Sequence, residues 1–174
     1  MKRTVFLVFF MSIVIGCFSQ EQKANLRKLP SVDLKTLEGE TINTKDLKNN
    51  GNPIIISFWA LWCKNCVKEL NAINDVYDDW KDETGVKIIA VSIDNSRSSS
   101  KVLPFVESND WDYEVLLDVN SDFKRAMNVI TVPHTFILNG KGEIVWQHNS
   151  YVEGSEEKYL EIVKKIKAGE EITD

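Results

Sequence analysis

A chain of 174 residues, 43% hydrophobic and 27% charged, suits one domain with its own core and needs no disulfide staple to hold it. Its net charge of −5, with no basic block, argues against a nucleic-acid partner; the acidity reads as a solubility feature.

The first twenty residues stand apart. MKRTVFLVFFMSIVIGCFSQ opens with Lys2 and Arg3, runs apolar from Val5 to Ile15 and ends in small residues. This is the pattern of an export signal, too short to span a bilayer comfortably. Two endings are open. Cys17 and Ser19 suit a cut before Gln20, leaving 1–19 as the signal; alternatively, VIGC resembles the lipobox of bacterial lipoproteins, which would make Cys17 a lipidated N-terminus. Loss of Lys2 and Arg3 takes the charge to −7. The protein is therefore expected in the periplasm or anchored to a membrane and facing the envelope. The polar residues 20–29 are expected to be a flexible tether, and 30–170 a folded domain.

Within that domain, SVDLKTLEGETINTKDL predicts two short strands around a turn at Glu38–Gly39, then a helical turn. NPIIISFWA is a continuous apolar run, hence a central buried strand, and VKIIAVSID is a second. The spacing predicts one helix over 63–81, another over 98–109 with Pro104 near its start, and a short one over 121–127. YEVLLD is a weaker strand. HTFILN and EIVWQHN, separated by GKG, read as a hairpin. A last helix runs from Ser155 to Ala168, with Tyr159, Ile162, Val163 and Ile166 on one face and Gly169 as its stop. Alternating strands and helices followed by a closing hairpin and helix predict an α/β domain with a mixed sheet.

FWALWCKNCVKEL, residues 58–70, carries the chemistry. With Cys17 assigned to the leader, Cys63 and Cys66 remain, and they could be a staple, a metal site or a reactive pair. A pair closing so short a loop removes little chain entropy, so it is a poor staple. His134 and His148 are the only histidines, and no second CxxC or paired-His spacing supports zinc or copper; no metal and no cofactor are expected. A reactive pair fits better. A strand running into a helix puts Cys63 at the helix N-terminus, where free N–H groups and the helix dipole favour a thiolate, and Lys64 adds a cation.

At about 100° per residue, Cys66 shares the core-facing stripe with Leu70, Ile73, Tyr77 and Trp80. Cys63 is then the exposed nucleophile and Cys66 the sheltered resolving thiol. The same wheel aims Glu69 into the apolar arc, where desolvation would raise its pKa and let it exchange a proton with Cys66; the competing reading is a glutamate that snorkels to water. Trp62 could shield the sulfurs and offer substrates an apolar surface, or simply pack. Pro133, in TVPHTFIL, marks a strand start or a tight turn.

FWALWCKNCVKEL and TVPHTFIL, in that order and about seventy residues apart, give the chain a resemblance to thioredoxin-fold proteins, more closely to the TlpA/ResA-type envelope thiol–disulfide oxidoreductases of the redoxin (AhpC/TSA-like) group. The resemblance covers about residues 30–168, including an N-terminal β-hairpin and a middle insertion. It implies that Cys63 attacks, Cys66 resolves, Pro133 is a cis-proline facing the disulfide, and the backbone of Val132 pairs with an extended substrate. Glu69 matches the buried glutamate that follows the second cysteine by three in this family. The sequence departs from thioredoxin in having Ser57 where a buried aspartate is usual, Asn65 in place of a proline before the second cysteine, and His134 where a threonine is common. His134 could add a titrating group near the sulfurs.

The family reading implies reduction of protein or small-molecule disulfides by a CxxC cycle, for example in cytochrome c maturation or general redox homeostasis, with electrons from an envelope donor and a monomeric enzyme. Two other readings are a peroxiredoxin-like peroxidase, disfavoured because no Thr lies three before Cys63, and a non-catalytic metal carrier built on the same pair.

Overall fold

The computed structural model describes residues 26–172; the leader, Cys17, the cut before Gln20 and the first part of the tether lie outside the described residues. Seven strands form one sheet in the order β2-β1-β5-β4-β3-β6-β7. They are β1 (Asp33–Thr36), β2 (Thr41–Asn43), β3 (Ile54–Trp59), β4 (Lys87–Ser92), β5 (Glu114–Leu117), β6 (His134–Leu138) and β7 (Ile144–Asn149). The β3–β4 and β4–β5 pairings are parallel and the rest antiparallel, so the sheet is mixed.

The middle segment accounts for β5, which enters between β1 and β4 and so joins the N-terminal hairpin to the centre. All six residues of β3 are buried, as its unbroken apolar run requires of a strand covered on both faces. On one face lie α1 (Lys64–Asn74), α2 (Tyr77–Thr84), α3 (Val102–Ser108) and α5 (Ser155–Ala168), whose buried side chains share a core with Ile55, Trp59, Ile88 and Ile137. The other face packs Ile54, Ile56, Phe58, Ile89 and Phe136 against Phe123 of α4 (Asp122–Ala126) and Met127.

The helix expected over 63–81 is two helices. Val76 leaves helical geometry at φ −122° and ψ 1°, and its N–H donates to Ile73 O, three residues back. The side chain of Asn74 is drawn off to Asp110 O and the Asp112 N–H across the α3–β5 connection. The break still leaves Ile73, Tyr77 and Trp80 in the same core, so the apolar periodicity survives where the helix does not. The helix expected over 98–109 begins as a 3-10 turn at Ser99–Lys101, and Pro104 is the third residue of α3, where a missing N–H costs no intrahelical bond.

Residues 27–29, expected to belong to a tether over 20–29, are held by the sheet. Arg27 O accepts the Ile144 N–H at 2.8 Å, Lys28 pairs with Glu143, and Leu29 packs on the core, so the chain is fixed to the sheet before residue 30.

Candidate active site

Strand β3 ends at Trp59, and a turn closed by the Cys63 N–H to Ala60 O at 2.9 Å delivers the first cysteine to the start of α1. Cys63 is the helix N-cap, and its Sγ accepts the Cys66 N–H at 3.2 Å. Cys63 and Cys66 are joined as a disulfide, Cα to Cα 5.3 Å. In the reduced protein the first-turn N–H groups would face the Cys63 sulfur and favour a thiolate there.

The accessibility of the pair is ordered but small. Cys63 is 8% exposed and Cys66 0%, so Cys63 is the residue of the pair that meets solvent, yet it is far more enclosed than the exposed position expected of it. Its cover includes Val132, whose carbonyl oxygen lies 3.6 Å from Cys63 Sγ. The Val132–Pro133 bond is cis, and Pro133 O accepts the Ser150 N–H at 3.0 Å, which ties this loop to the end of β7. No group among the described residues bonds the Val132 N–H. Trp62, beside the sulfur, is 68% exposed, so it is an open apolar surface and not a core packer.

Glu69 does not snorkel. It is fully buried, and three hydroxyls close on its carboxyl. Tyr159 of α5 donates to Oε1 at 2.6 Å, Thr135 of β6 to Oε1 at 3.0 Å, and Ser57 of β3 to Oε2 at 2.8 Å. Ser57 and Thr135 are cross-strand partners in the β3–β6 ladder, so a single register places both. Burial pushes the Glu69 pKa above the ordinary carboxyl range, while the Tyr159, Ser57 and Thr135 hydroxyls pull it back in part.

His134 does not join the sulfurs. Strand alternation turns it to the face opposite Thr135, where its ring stacks on Phe136 with centroids 4.4 Å apart and an 11° tilt. Burial lowers its pKa. Among the described residues, no three His, Cys, Asp or Glu side chains gather as a metal site would need.

The model of the AhpC/TSA family matches residues 26–147. The chain belongs to the AhpC/TSA family. Over 152 residues it is 33% identical to the thiol-disulfide oxidoreductase ResA of Bacillus cereus, covering 87% of this chain and 84% of that protein. It is 32% identical to sporulation thiol-disulfide oxidoreductase A of Bacillus subtilis, across 82% and 87% of the two chains. Among solved structures, a thioredoxin-like protein from Porphyromonas gingivalis is 52% identical, with a TM-score of 0.73 over 80% of this chain and 92% of that one. StoA from Bacillus subtilis is 30% identical, with a TM-score of 0.60 over 76% and 97%. This AhpC/TSA-family chain is an enzyme of thiol–disulfide exchange, with a thioredoxin-like fold.

Four residues of this AhpC/TSA-family site escaped the sequence reading. Nothing in the strand pattern marks Thr135, Ser57 shows in the sequence only as the absence of an aspartate, and Tyr159 belongs by spacing to an apolar helix face. The fourth is Asp94, just past β4. Its Oδ2 accepts the Leu61 N–H at 2.9 Å and its carboxyl is held by Ser92 and Ser98, so it pins the turn that leads into Cys63. An acid ending an otherwise apolar strand, in VSID, was the available signal.

Proposed function

We propose that the protein reduces disulfides of exported polypeptides in the cell envelope. Electrons enter from an envelope thiol donor, and the resting product is the Cys63–Cys66 disulfide. The observation that carries this reading is the order of the two sulfurs in front of a buried carboxyl: Cys63 reachable, Cys66 sealed, and Glu69 behind them.

In the reduced enzyme the Cys63 thiolate attacks one sulfur of the substrate disulfide. A mixed disulfide forms and the substrate's other sulfur leaves as a thiolate, which takes up a proton. Cys66 then loses its proton and attacks Cys63 Sγ, releasing the second substrate thiolate and restoring the disulfide. Two electrons pass from the enzyme to the substrate. Glu69 takes the Cys66 proton as the internal attack begins and returns it when the donor reduces the enzyme.

Trp62 supplies an apolar surface beside the reacting sulfur, and the Val132 N–H beside cis-Pro133, without a partner among the described residues, suits donation of a main-chain hydrogen bond to a carbonyl of an extended substrate. An N-terminal leader or a lipid on Cys17 would deliver the domain to the envelope, and reduction of apocytochrome is one task that fits.

Cys66→Ser leaves the attacking thiol and removes the resolving one. Incubated with an exported disulfide protein, it is expected to accumulate a mixed disulfide at Cys63, read by non-reducing gel and mass spectrometry. Equilibration with glutathione sets the direction: a potential near about −270 mV supports the reductase, and one near about −120 mV makes the protein an oxidant and refutes the reading.

A further inference from the structure

The turn that delivers Cys63 rests on a second buried acid. Strand β4 ends at Ser92, and Asp94, two residues later, is 1% exposed. Three groups converge on its carboxyl. The Leu61 N–H donates to Oδ2 at 2.9 Å, the Ser92 hydroxyl to the same oxygen at 2.9 Å, and the Ser98 hydroxyl to Oδ1 at 3.0 Å. All three donate, so the carboxyl serves only as an acceptor, the role of its ionised form. Among the described residues no ammonium or guanidinium pairs with it.

A carboxylate is more than this turn requires. A serine hydroxyl or an asparagine amide would accept the Leu61 N–H without a charge, and burying a charge with no cation beside it costs free energy. Asp118, just past the neighbouring strand β5, shows the ordinary use of such an acid: it accepts the Phe123 and Lys124 N–H groups and holds the first turn of α4. The N–H that Asp94 accepts belongs instead to the turn before the nucleophile. Leu61 is the second residue of the turn closed by the Cys63 N–H to Ala60 O, whose ends lie within about 7 Å. The Asp94 charge is therefore roughly 10 Å from the reacting sulfur. Trp59 and Ala60 beside this turn are fully buried, so screening by solvent is weak. At that separation, with an effective dielectric of about 20, a unit charge alters a neighbouring ionisation roughly tenfold.

We propose that Asp94 is a positioning residue for the exchange reaction: its carboxylate fixes the turn that presents Cys63, and its charge biases the sulfur pair toward the disulfide. The other charged groups near the pair act differently. Lys64 is exposed at the start of α1 and favours the thiolate, and Glu69 sits behind Cys66 among its three hydroxyls. Reduction by glutathione breaks the Cys63–Cys66 bond and forms another: two electrons and two protons pass to the protein, and two glutathione thiols join as oxidised glutathione. Once Cys63 ionises, the reduced protein carries a negative sulfur that the Asp94 charge opposes, whereas the disulfide carries none. The bias rests on the exchange activity and is independent of the direction of electron flow.

Equilibration of Asp94→Asn with glutathione tests it. Asparagine keeps the shape and an acceptor for the Leu61 N–H but drops the charge. At a pH where Cys63 is ionised, the equilibrium constant for reduction should rise roughly tenfold, about 30 mV toward the oxidising side. Thiolate formation, followed by the rate of alkylation at Cys63, should move to lower pH. Where the pH is low enough to keep the Cys63 thiol protonated in both proteins the difference should vanish, which a purely structural role does not produce. Ser98→Ala keeps the charge and cuts one tie, so it should lower Tm and leave the potential in place. The parent protein reports the same coupling without a substitution: the carbon-13 resonance of the Asp94 carboxyl should move as Cys63 ionises in the reduced form and stay fixed over that pH range in the disulfide form. An Asp94→Asn potential equal to the parent's at every pH overturns the proposal. So does an equal shift in Ser98→Ala, or a carboxyl resonance that does not respond to Cys63.

Discussion

Strands β3 and β6 send alternate side chains to opposite faces of the sheet, and the two faces differ in kind. Toward α4 they present Ile56, Phe58, Phe136 and Leu138, an apolar layer in which Phe58 packs edge-on to Phe136 and tilted on Phe123. Toward α1 and α5 the same strands present Ser57 and Thr135 between Ile55 and Ile137, and a buried carboxyl sits on them. The first face follows the rule that cores are apolar. The second breaks it beside the disulfide, and each hydroxyl contact there offsets part of the cost of burying Glu69. One face supplies stability and the other holds an acid in reserve.

The sharpest way to separate the two faces is to remove the nucleophile. Cys63→Ser should lower exchange with a model disulfide by roughly 10³-fold or more, since the thiolate is the attacking group, while thermal unfolding of the reduced protein barely moves. Retained exchange would remove Cys63 from the mechanism. Phe136→Ala does the converse. Loss of a fully buried aromatic ring should cost about 3–5 kcal/mol in chemical denaturation and leave the pH profile of exchange in place. A shifted profile would mean the apolar face also tunes the acid.

Glu69→Gln should uncouple the acid from pH. The folded protein holds the Glu69 proton more tightly than the unfolded chain, so the stability this contributes is complete below the unfolded pKa and is lost as pH rises through the folded one. The glutamine is neutral throughout. Its Tm advantage over the parent should therefore widen as pH rises above the ordinary carboxyl range, and the pH dependence of the Cys66 step should flatten. A parallel pair of Tm curves would contradict the burial argument.

The smallest effect expected is that of Tyr159→Phe. Removing this donor takes away the largest hydrogen-bond contribution that lowers the Glu69 pKa, so the exchange profile should move to higher pH, at a stability cost of about 1 kcal/mol. A shift to lower pH would show that Tyr159 does not stabilise the carboxylate.

What the sequence disclosed and what it hid follow one division. Local spacing placed the cysteines at a helix start, turned Glu69 inward and ended the last helix at Gly169, because each depends on neighbours within a turn or two. The partners of Glu69 were hidden, because they depend on register and packing. Ser57 and Thr135 become a pair only once β3 and β6 align, and the Tyr159 hydroxyl arrives from ninety residues along the chain. The break at Val76 was hidden for a related reason: Asn74 is turned aside by a loop more than thirty residues away, which no local propensity records. His134 fell next to Pro133 in the chain, but a one-residue step along a strand reverses its face.

The three groups that hold Glu69 are all hydroxyls, and a hydroxyl both donates and accepts. An ionised Glu69 accepts three hydrogen bonds from them; a protonated Glu69 can donate one to a hydroxyl oxygen once that O–H rotates. The same heavy-atom positions thus serve both charge states. No side chain has to swing, and no water has to enter, when the carboxyl changes its charge. Guanidinium or ammonium groups in these places would have locked the ionised form. The cage leans toward the carboxylate, since each hydroxyl lowers the Glu69 pKa, but it does so without a fixed positive charge.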